Sequence, residues 1–118
     1  MKKILICSPT YNEAENIKEF CKRIFKIKNK VDLLIIDDNS PDGTSNIIKK
    51  LKKKNKNLIL IERKSKLGIG SAFRIGIKYA IENKYNTLVT LDADLSHQPE
   101  EIPKLLLKLK KNDFVIGS

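Results

Sequence analysis

Two aspartates one residue apart, Asp92 and Asp94, follow the apolar run from Thr87 to Leu91. In an extended segment, residues two apart point the same way, so their carboxylates converge. Paired carboxylates suit a hard divalent cation such as Mg2+ or Mn2+, which takes oxygen ligands and keeps positions open for phosphate oxygens. A cation held there can neutralise a diphosphate as it leaves. Such a pair taken alone also fits two acids capping a loop, so its company matters. Asp37 and Asp38 follow Leu33-Leu34-Ile35-Ile36. Carboxylates at that place can accept from a ribose hydroxyl or a base N–H. Alternatively one of them, Asp37 before Asp38, satisfies loop backbone groups or caps the next helix. Lys66-Leu67-Gly68-Ile69-Gly70 puts a cation and two glycines where a helix begins. Backbone N–H groups and the helix dipole favour anions there, although close helix packing also explains glycines. Tyr11, beside Pro9 and Glu13, offers a ring for stacking on a base, or is a half-buried loop aromatic. His97, the single histidine, reads as an oriented loop residue or a base.

The elements that must position these residues alternate along the chain. Ile4 to Cys7, Val31 to Ile36, Leu58 to Ile61, Thr87 to Leu91 and Phe114 to Ile116 are short apolar runs, as expected of strands buried on both faces. Between them lie helical periodicities. Ala14, Ile17, Phe20, Cys21, Ile24 and Phe25 share one face, with Asn12 as the expected cap and Glu15 completing a capping-box-like pair. Ile47, Ile48 and Leu51 mark a short second helix, whose lysine-rich end suits the macrodipole. Ile69, Ala72, Phe73, Gly76, Ile77 and Ala80 mark the third. Ile102, Leu105, Leu106 and Leu109 mark the fourth, with Pro99 near its first turn. Pro41 and Gly43 belong to a turn and set geometry. Five strands alternating with four helices predict an α/β fold: a mainly parallel five-stranded sheet with helices on both faces. Ligands of such sheets bind outside the carboxyl ends of the strands, at a reversal of strand order. The polar clusters all follow strands, so one rim collects them.

The chain has 118 residues and reads as a single domain over residues 1–118. Its formal charge is +10, carried mostly by lysine with few aromatics interleaved. That favours solvated helix faces over nucleic-acid recognition, which leans on arginine and stacking. Cys7 and Cys21 fall on apolar positions and are expected to be reduced and buried. Met1-Lys2-Lys3 opens onto a strand-length run rather than a secretory leader, and no run approaches the roughly 18 apolar residues of a membrane span. A cytoplasmic chain is expected, with peripheral contact at the membrane's cytoplasmic face.

Four ordered motifs span nearly the whole sequence: Pro9-Thr10-Tyr11-Asn12-Glu13, Asp37-Asp38-Asn39-Ser40-Pro41-Asp42-Gly43-Thr44, Lys66-Leu67-Gly68-Ile69-Gly70-Ser71-Ala72 and Asp92-Ala93-Asp94-Leu95-Ser96-His97-Gln98-Pro99. Together the sequence resembles the family 2 glycosyltransferases of GT-A fold, and within them is most similar to dolichyl-phosphate mannose synthases and their bacterial polyprenyl-phosphate relatives. The resemblance implies a Rossmann-like nucleotide-sugar-binding half. Pro9, Tyr11, Glu13, Ile36 and Asp38 match positions that hold the nucleoside, and Lys66 matches a lysine near ribose or phosphates. Asp92, Ala93 and Asp94 match the D-x-D segment, with Asp94 the main ligand of a divalent cation and Ser96 a further contact; Asp92 and Asp94 would be the catalytic pair. The donor would be GDP-mannose or a UDP-hexose, the acceptor a polyprenyl phosphate, and transfer would invert the anomeric centre. Gly117-Ser118 looks like the start of a Gly-Ser/Thr-Arg-Tyr motif whose arginine lies past the last residue, so the chain is expected to bind donor without completing transfer. Leu107, off the buried face of its helix, or the edge of the last strand is expected to mediate self-association into a homo-oligomer.

Other readings fit less well. A receiver domain carries its acidic pair after the first strand, not the second. A nucleotidyltransferase would open with a glycine-rich loop where Pro9-Thr10-Tyr11 stands. The alternative of a different class is a basic, non-enzymatic module for nucleic acid or an anionic membrane, which would bind any polyanion with steep salt dependence.

Overall fold

The computed structural model describes residues 3–27, 29–64, 68–96, 98–108 and 114–116. Lys66, His97 and Leu109 lie outside the described residues, as do Gly117 and Ser118. Strands β1 (Ile4–Thr10), β2 (Asp32–Asp37), β3 (Leu58–Glu62), β4 (Thr87–Thr90) and β5 (Phe114–Ile116) alternate with helices α1 (Ile17–Lys26), α2 (Thr44–Lys52), α3 (Ile69–Glu82) and α4 (Ile102–Lys108). Pro99–Glu101 forms a single 3-10 turn leading into α4, with Pro99 at its first position, where a missing N–H costs nothing. The strands form one sheet in the order β3-β2-β1-β4-β5, and all four pairings are parallel. The order reverses at β1, which pairs with β2 on one side and β4 on the other.

Alternation along each strand sorts side chains to two cores. Ile4, Ile6, Leu33, Ile35 and Val89 face α1, α2 and α4, meeting Ile17, Phe20, Cys21, Ile24, Ile48, Ile102 and Leu106. Leu5, Cys7, Leu34, Ile36 and Leu88 face α3, meeting Ala72 and Ala80. The helices therefore cover both faces, as the continuous apolar strands require. Cys7 and Cys21 are buried free thiols, and burial pushes both up to about 12, which keeps them protonated and unreactive.

Strands β2, β3 and β4 differ from expectation by one residue at one or both ends, and two boundaries differ by more. β1 continues through Ser8, Pro9 and Thr10, because a central strand is held from the β2 side as far as the Thr10–Asp37 pairing. Asn12 does not cap α1. It adopts a φ of 57°, and α1 starts only at Ile17, capped by Asn16 without a side-chain bond. The Asn16 and Ile17 amides both donate to the Glu13 carbonyl, which makes residues 13–16 a turn ahead of the helix.

The α3 side packs closely against β1 because Gly76 has no side chain. A Cβ there would lie 2.7 Å from the Cys7 sulfur and 3.4 Å from its Cβ. Alanine at position 76 gains helix propensity worth about 1 kcal/mol but incurs overpacking of about 1–3 kcal/mol. Gly76→Ala is thus expected to destabilise by about 1 kcal/mol. In a chemical-denaturation double-mutant cycle, Cys7→Ala should make Gly76→Ala neutral or stabilising. Additive costs would contradict this packing account.

Candidate functional site

The carboxyl ends of β1, β2 and β4 meet at the reversal of strand order, and the loops leaving them are tied to one another. The ladder runs one bond past each strand: Asp38 N donates to the Thr10 carbonyl at 3.0 Å, Arg63 N to the Asp37 carbonyl at 2.8 Å, and Leu91 N to the Cys7 carbonyl at 3.1 Å. Beyond that, three successive amides of the β1–α1 loop donate to side chains of the β2–α2 loop and of the first residue of α2. Asn12 N meets Ser40 Oγ at 2.9 Å, Glu13 N meets Thr44 Oγ1 at 3.0 Å, and Ala14 N meets Asp42 Oδ2 at 3.0 Å. Asp42 also accepts from the Thr44 amide and hydroxyl. Loss of hydration alone would push the Asp42 carboxyl up, yet the donated bonds from Thr44 and Ala14 outweigh it and hold the group below the usual range. Gly43, with φ 87°, supplies the left-handed turn that opens α2.

Asp37 and Asp38 divide their roles. Asp37 is wholly buried. Its Oδ1 accepts from Thr10 Oγ1 at 2.7 Å and from Ser40 Oγ at 2.6 Å, and its Oδ2 accepts from the Ser40 amide at 3.1 Å. It is the aspartate that serves the loop. Asp38 lines a cavity of about 320 Å³ together with Pro9, Thr10, Tyr11, Glu13, Gly68, Asp92, Ala93 and Asp94. Tyr11 is exposed at its edge. Gly68 has φ 92° with open space where a Cβ would stand, so conformation and not crowding calls for glycine.

Seven of the nine residues matched to the nucleotide sugar therefore share one cavity. Lys66 lies outside the described residues. Ile36 does not line the cavity: its side chain is fully buried in the α3-side core with Leu34 and Cys7, because its strand position points it away from the rim. Ser96 is exposed and outside the cavity lining, with its amide donating to Asp94 Oδ1 at 2.9 Å. Asp92 and Asp94 converge by a different route from strand alternation. β4 ends at Thr90, and Ala93–Asp94 sits in a turn, with Leu95 at φ 66°. Two residues given no role by the sequence also matter: Thr10, quoted in the first motif, which lines the cavity, and Arg63, outside all four motifs, which pairs with Asp38.

The cavity's electrostatics are acidic. Burial pushes the Glu13 carboxyl above its ordinary value, and the nearby charges of Asp94, Asp42 and Asp92 push it further. Among the described residues no three acidic, cysteine or histidine side chains form a complete metal cage. An incomplete, all-oxygen set of Asp92 and Asp94 in an acidic field still fits a hard cation, which keeps open positions for phosphate oxygens. No helix of the described residues is long and apolar enough to cross a membrane.

Two outcomes follow. Asp37→Ala would strand the Thr10 and Ser40 groups and should cost about 3 kcal/mol in denaturant unfolding; a change below about 1 kcal/mol contradicts its loop role. Glu13 holds its proton more tightly folded than unfolded, so its contribution is most favourable below the ordinary value of 4.5 and is lost as pH rises through the raised value. Glu13→Gln should accordingly raise the melting temperature at neutral pH in metal-free buffer and leave it unchanged near pH 4. An equal effect at both pH values would show that the acids do not repel one another.

The chain matches the model of "Glycosyl transferase family 2" over residues 5–118. It is 37% identical over 116 residues to an undecaprenyl-phosphate mannosyltransferase of Micrococcus luteus, covering 98% of this chain and 48% of that protein. It is 36% identical over 119 residues to a polyprenol monophosphomannose synthase of Mycolicibacterium smegmatis, covering 99% of this chain and 45% of that protein. The chain thus spans about half the length of these curated relatives. Among solved structures it is similar to the mannosyltransferase PcManGT of Pyrobaculum calidifontis in complex with GDP-Man and Mn2+ (TM-score 0.71, 25% identity, 78% of this chain and 27% of that one). It is likewise similar to S. aureus TarS in complex with UDP (TM-score 0.68, 25% identity, 78% of this chain and 27% of that one). An all-parallel sheet with its acidic cavity at the strand-order reversal, matched by a family model along nearly its whole length, belongs to glycosyl transferase family 2.

Proposed function

We propose that the cavity binds a nucleoside diphosphate sugar with a divalent cation, and that this chain is the donor-binding part of a transferase moving a hexose to a polyprenyl phosphate with inversion. The observation that carries the reading is the gathering of Tyr11, Glu13, Asp38, Asp92 and Asp94 around one cavity at the strand-order reversal. Its volume of about 320 Å³ falls within the range of small-molecule sites. The names of the relatives favour mannose as the sugar and a polyprenyl phosphate as the acceptor. The structural neighbour with GDP-Man and Mn2+ favours a metal-assisted donor.

In this reading Asp38 accepts from a ribose hydroxyl or base N–H, and Tyr11 offers its ring to the base. Asp92 and Asp94 would hold Mg2+ or Mn2+, with Ser96 as a further contact, and such a cation would supply positive charge against the departing diphosphate. An acceptor phosphate oxygen attacks the anomeric carbon from the side opposite the diphosphate. The bond from that carbon to the diphosphate oxygen breaks, and the nucleoside diphosphate carries away the electron pair. A phosphate is already anionic at neutral pH, so no protein base is needed to activate it. Peripheral contact with the membrane that carries the acceptor belongs to the same proposal. Leu107, 88% exposed on α4, is the surface through which self-association would occur.

Calorimetric titration with GDP, UDP and their mannose and glucose conjugates, with and without Mn2+, tests the donor site. Binding of one nucleoside diphosphate with a dissociation constant between about 1 μM and 1 mM is expected, tightened by the metal. Asp94→Ala should abolish the tightening. Indifference of every ligand to the metal, or salt-steep binding of any polyanion alike, would overturn the reading.

A further inference from the structure

Arg63 plays no part in the donor-site reading and does not line the cavity, yet it touches two residues that do. It leaves the carboxyl end of β3 with its side chain 6% exposed. Its Nε donates to Asp38 Oδ1, and its Nη2 donates to Asp38 Oδ2 at 2.7 Å. Nη2 also donates to the Gly68 carbonyl at 3.0 Å, and Nη1 to Ser71 Oγ at 2.7 Å. One planar group therefore grips the carboxylate after β2 and the first residues of α3 together.

A fully desolvated ion pair seldom adds net stability over an apolar pair of the same size. What a bidentate pair supplies is direction. A carboxylate has about four lone-pair positions, and the Arg63 fork occupies two. It thereby fixes the carboxylate plane and with it the direction of the remaining lone pairs. Asp38 lines the cavity, so the plane set by Arg63 decides how its carboxylate is presented to a bound nucleoside. Ammonium on a flexible stem cannot impose that plane.

We propose that Arg63 is a positioning residue for the nucleoside end of the cavity: it orients the Asp38 carboxylate and sets its distance from Gly68 at the start of α3. The inference rests on the donor-site reading above. It separates Arg63 from the Asp92–Asp94 end: among the described residues its side chain donates to Asp38, Ser71 and Gly68.

The test compares wild-type chain with Arg63→Lys and Ser71→Ala by calorimetry, using GDP and UDP with Mn2+ on one arm and inorganic pyrophosphate with Mn2+ on the other. Circular dichroism reports folding. Arg63→Lys should weaken the preferred nucleoside diphosphate about tenfold or more and shrink the GDP-against-UDP preference, with pyrophosphate affinity within about twofold of wild type. Ser71→Ala leaves the ion pair in place and should show the same pattern at about two- to fivefold, so it decides the matter if Arg63→Lys fails to fold. Unchanged nucleotide affinity and preference in the folded variants overturn the proposal, as does an equal loss on both arms, which marks a structural role alone. Wild-type chain that binds neither GDP nor UDP overturns the donor-site reading, and the Arg63 proposal falls with it; wild-type binding with indifferent variants overturns the Arg63 proposal alone.

Discussion

A parallel sheet delivers every strand to the same rim, and here the order of the strands reverses at β1, which pairs with both β2 and β4. The loops after those strands leave in different directions and open a crevice between them. Everything proposed for this chain depends on that crevice holding its shape. Hydrogen bonds do the holding. Asp37 gathers Thr10 and Ser40, and the amides of Asn12, Glu13 and Ala14 run across to Ser40, Thr44 and Asp42. The rim is an interlocked surface on which acidic residues can be kept close together at an electrostatic cost.

That cost appears in Glu13, whose carboxyl is raised by burial and by the charges of Asp94, Asp42 and Asp92. Like charges collected in one cavity destabilise a protein unless something cationic relieves them. On the β3 side relief is internal, because Arg63 pairs with Asp38. One carboxylate of the cavity thus has a built-in counter-charge.

Much of this was legible in the sequence for physical reasons. Runs such as Leu33-Leu34-Ile35-Ile36 announce strands buried on both faces, and polar clusters after apolar runs announce the rim. The reasons for the misses are equally local. Arg63 sits in the run Glu62-Arg63-Lys64-Ser65-Lys66, where a buried arginine looks like another solvated charge. Only the pairing of β2 with β3 brings it to Asp38. Asn12 carries the side chain of a helix cap, but its amide is claimed by Ser40 and its backbone turns left-handed, so the helix waits until Ile17. Ile36 matched a ligand position by order along the chain, but strand alternation turns its side chain to the core. Asp92 and Asp94 reach one cavity through a turn after β4, a geometry that spacing alone does not specify.

The central claim is that a cation and a nucleotide meet in this one crevice. Amide resonances of the isotopically labelled chain, recorded with Mn2+ and GDP or UDP, test it directly, because a bound paramagnetic ion broadens its neighbours. The account predicts broadening centred on Asp92, Asp94 and Glu13 that sharpens in localisation when nucleotide is added, with Asp32 and Asn86 at the opposite rim unaffected. Broadening centred on that opposite rim, or none with either nucleotide, would contradict it.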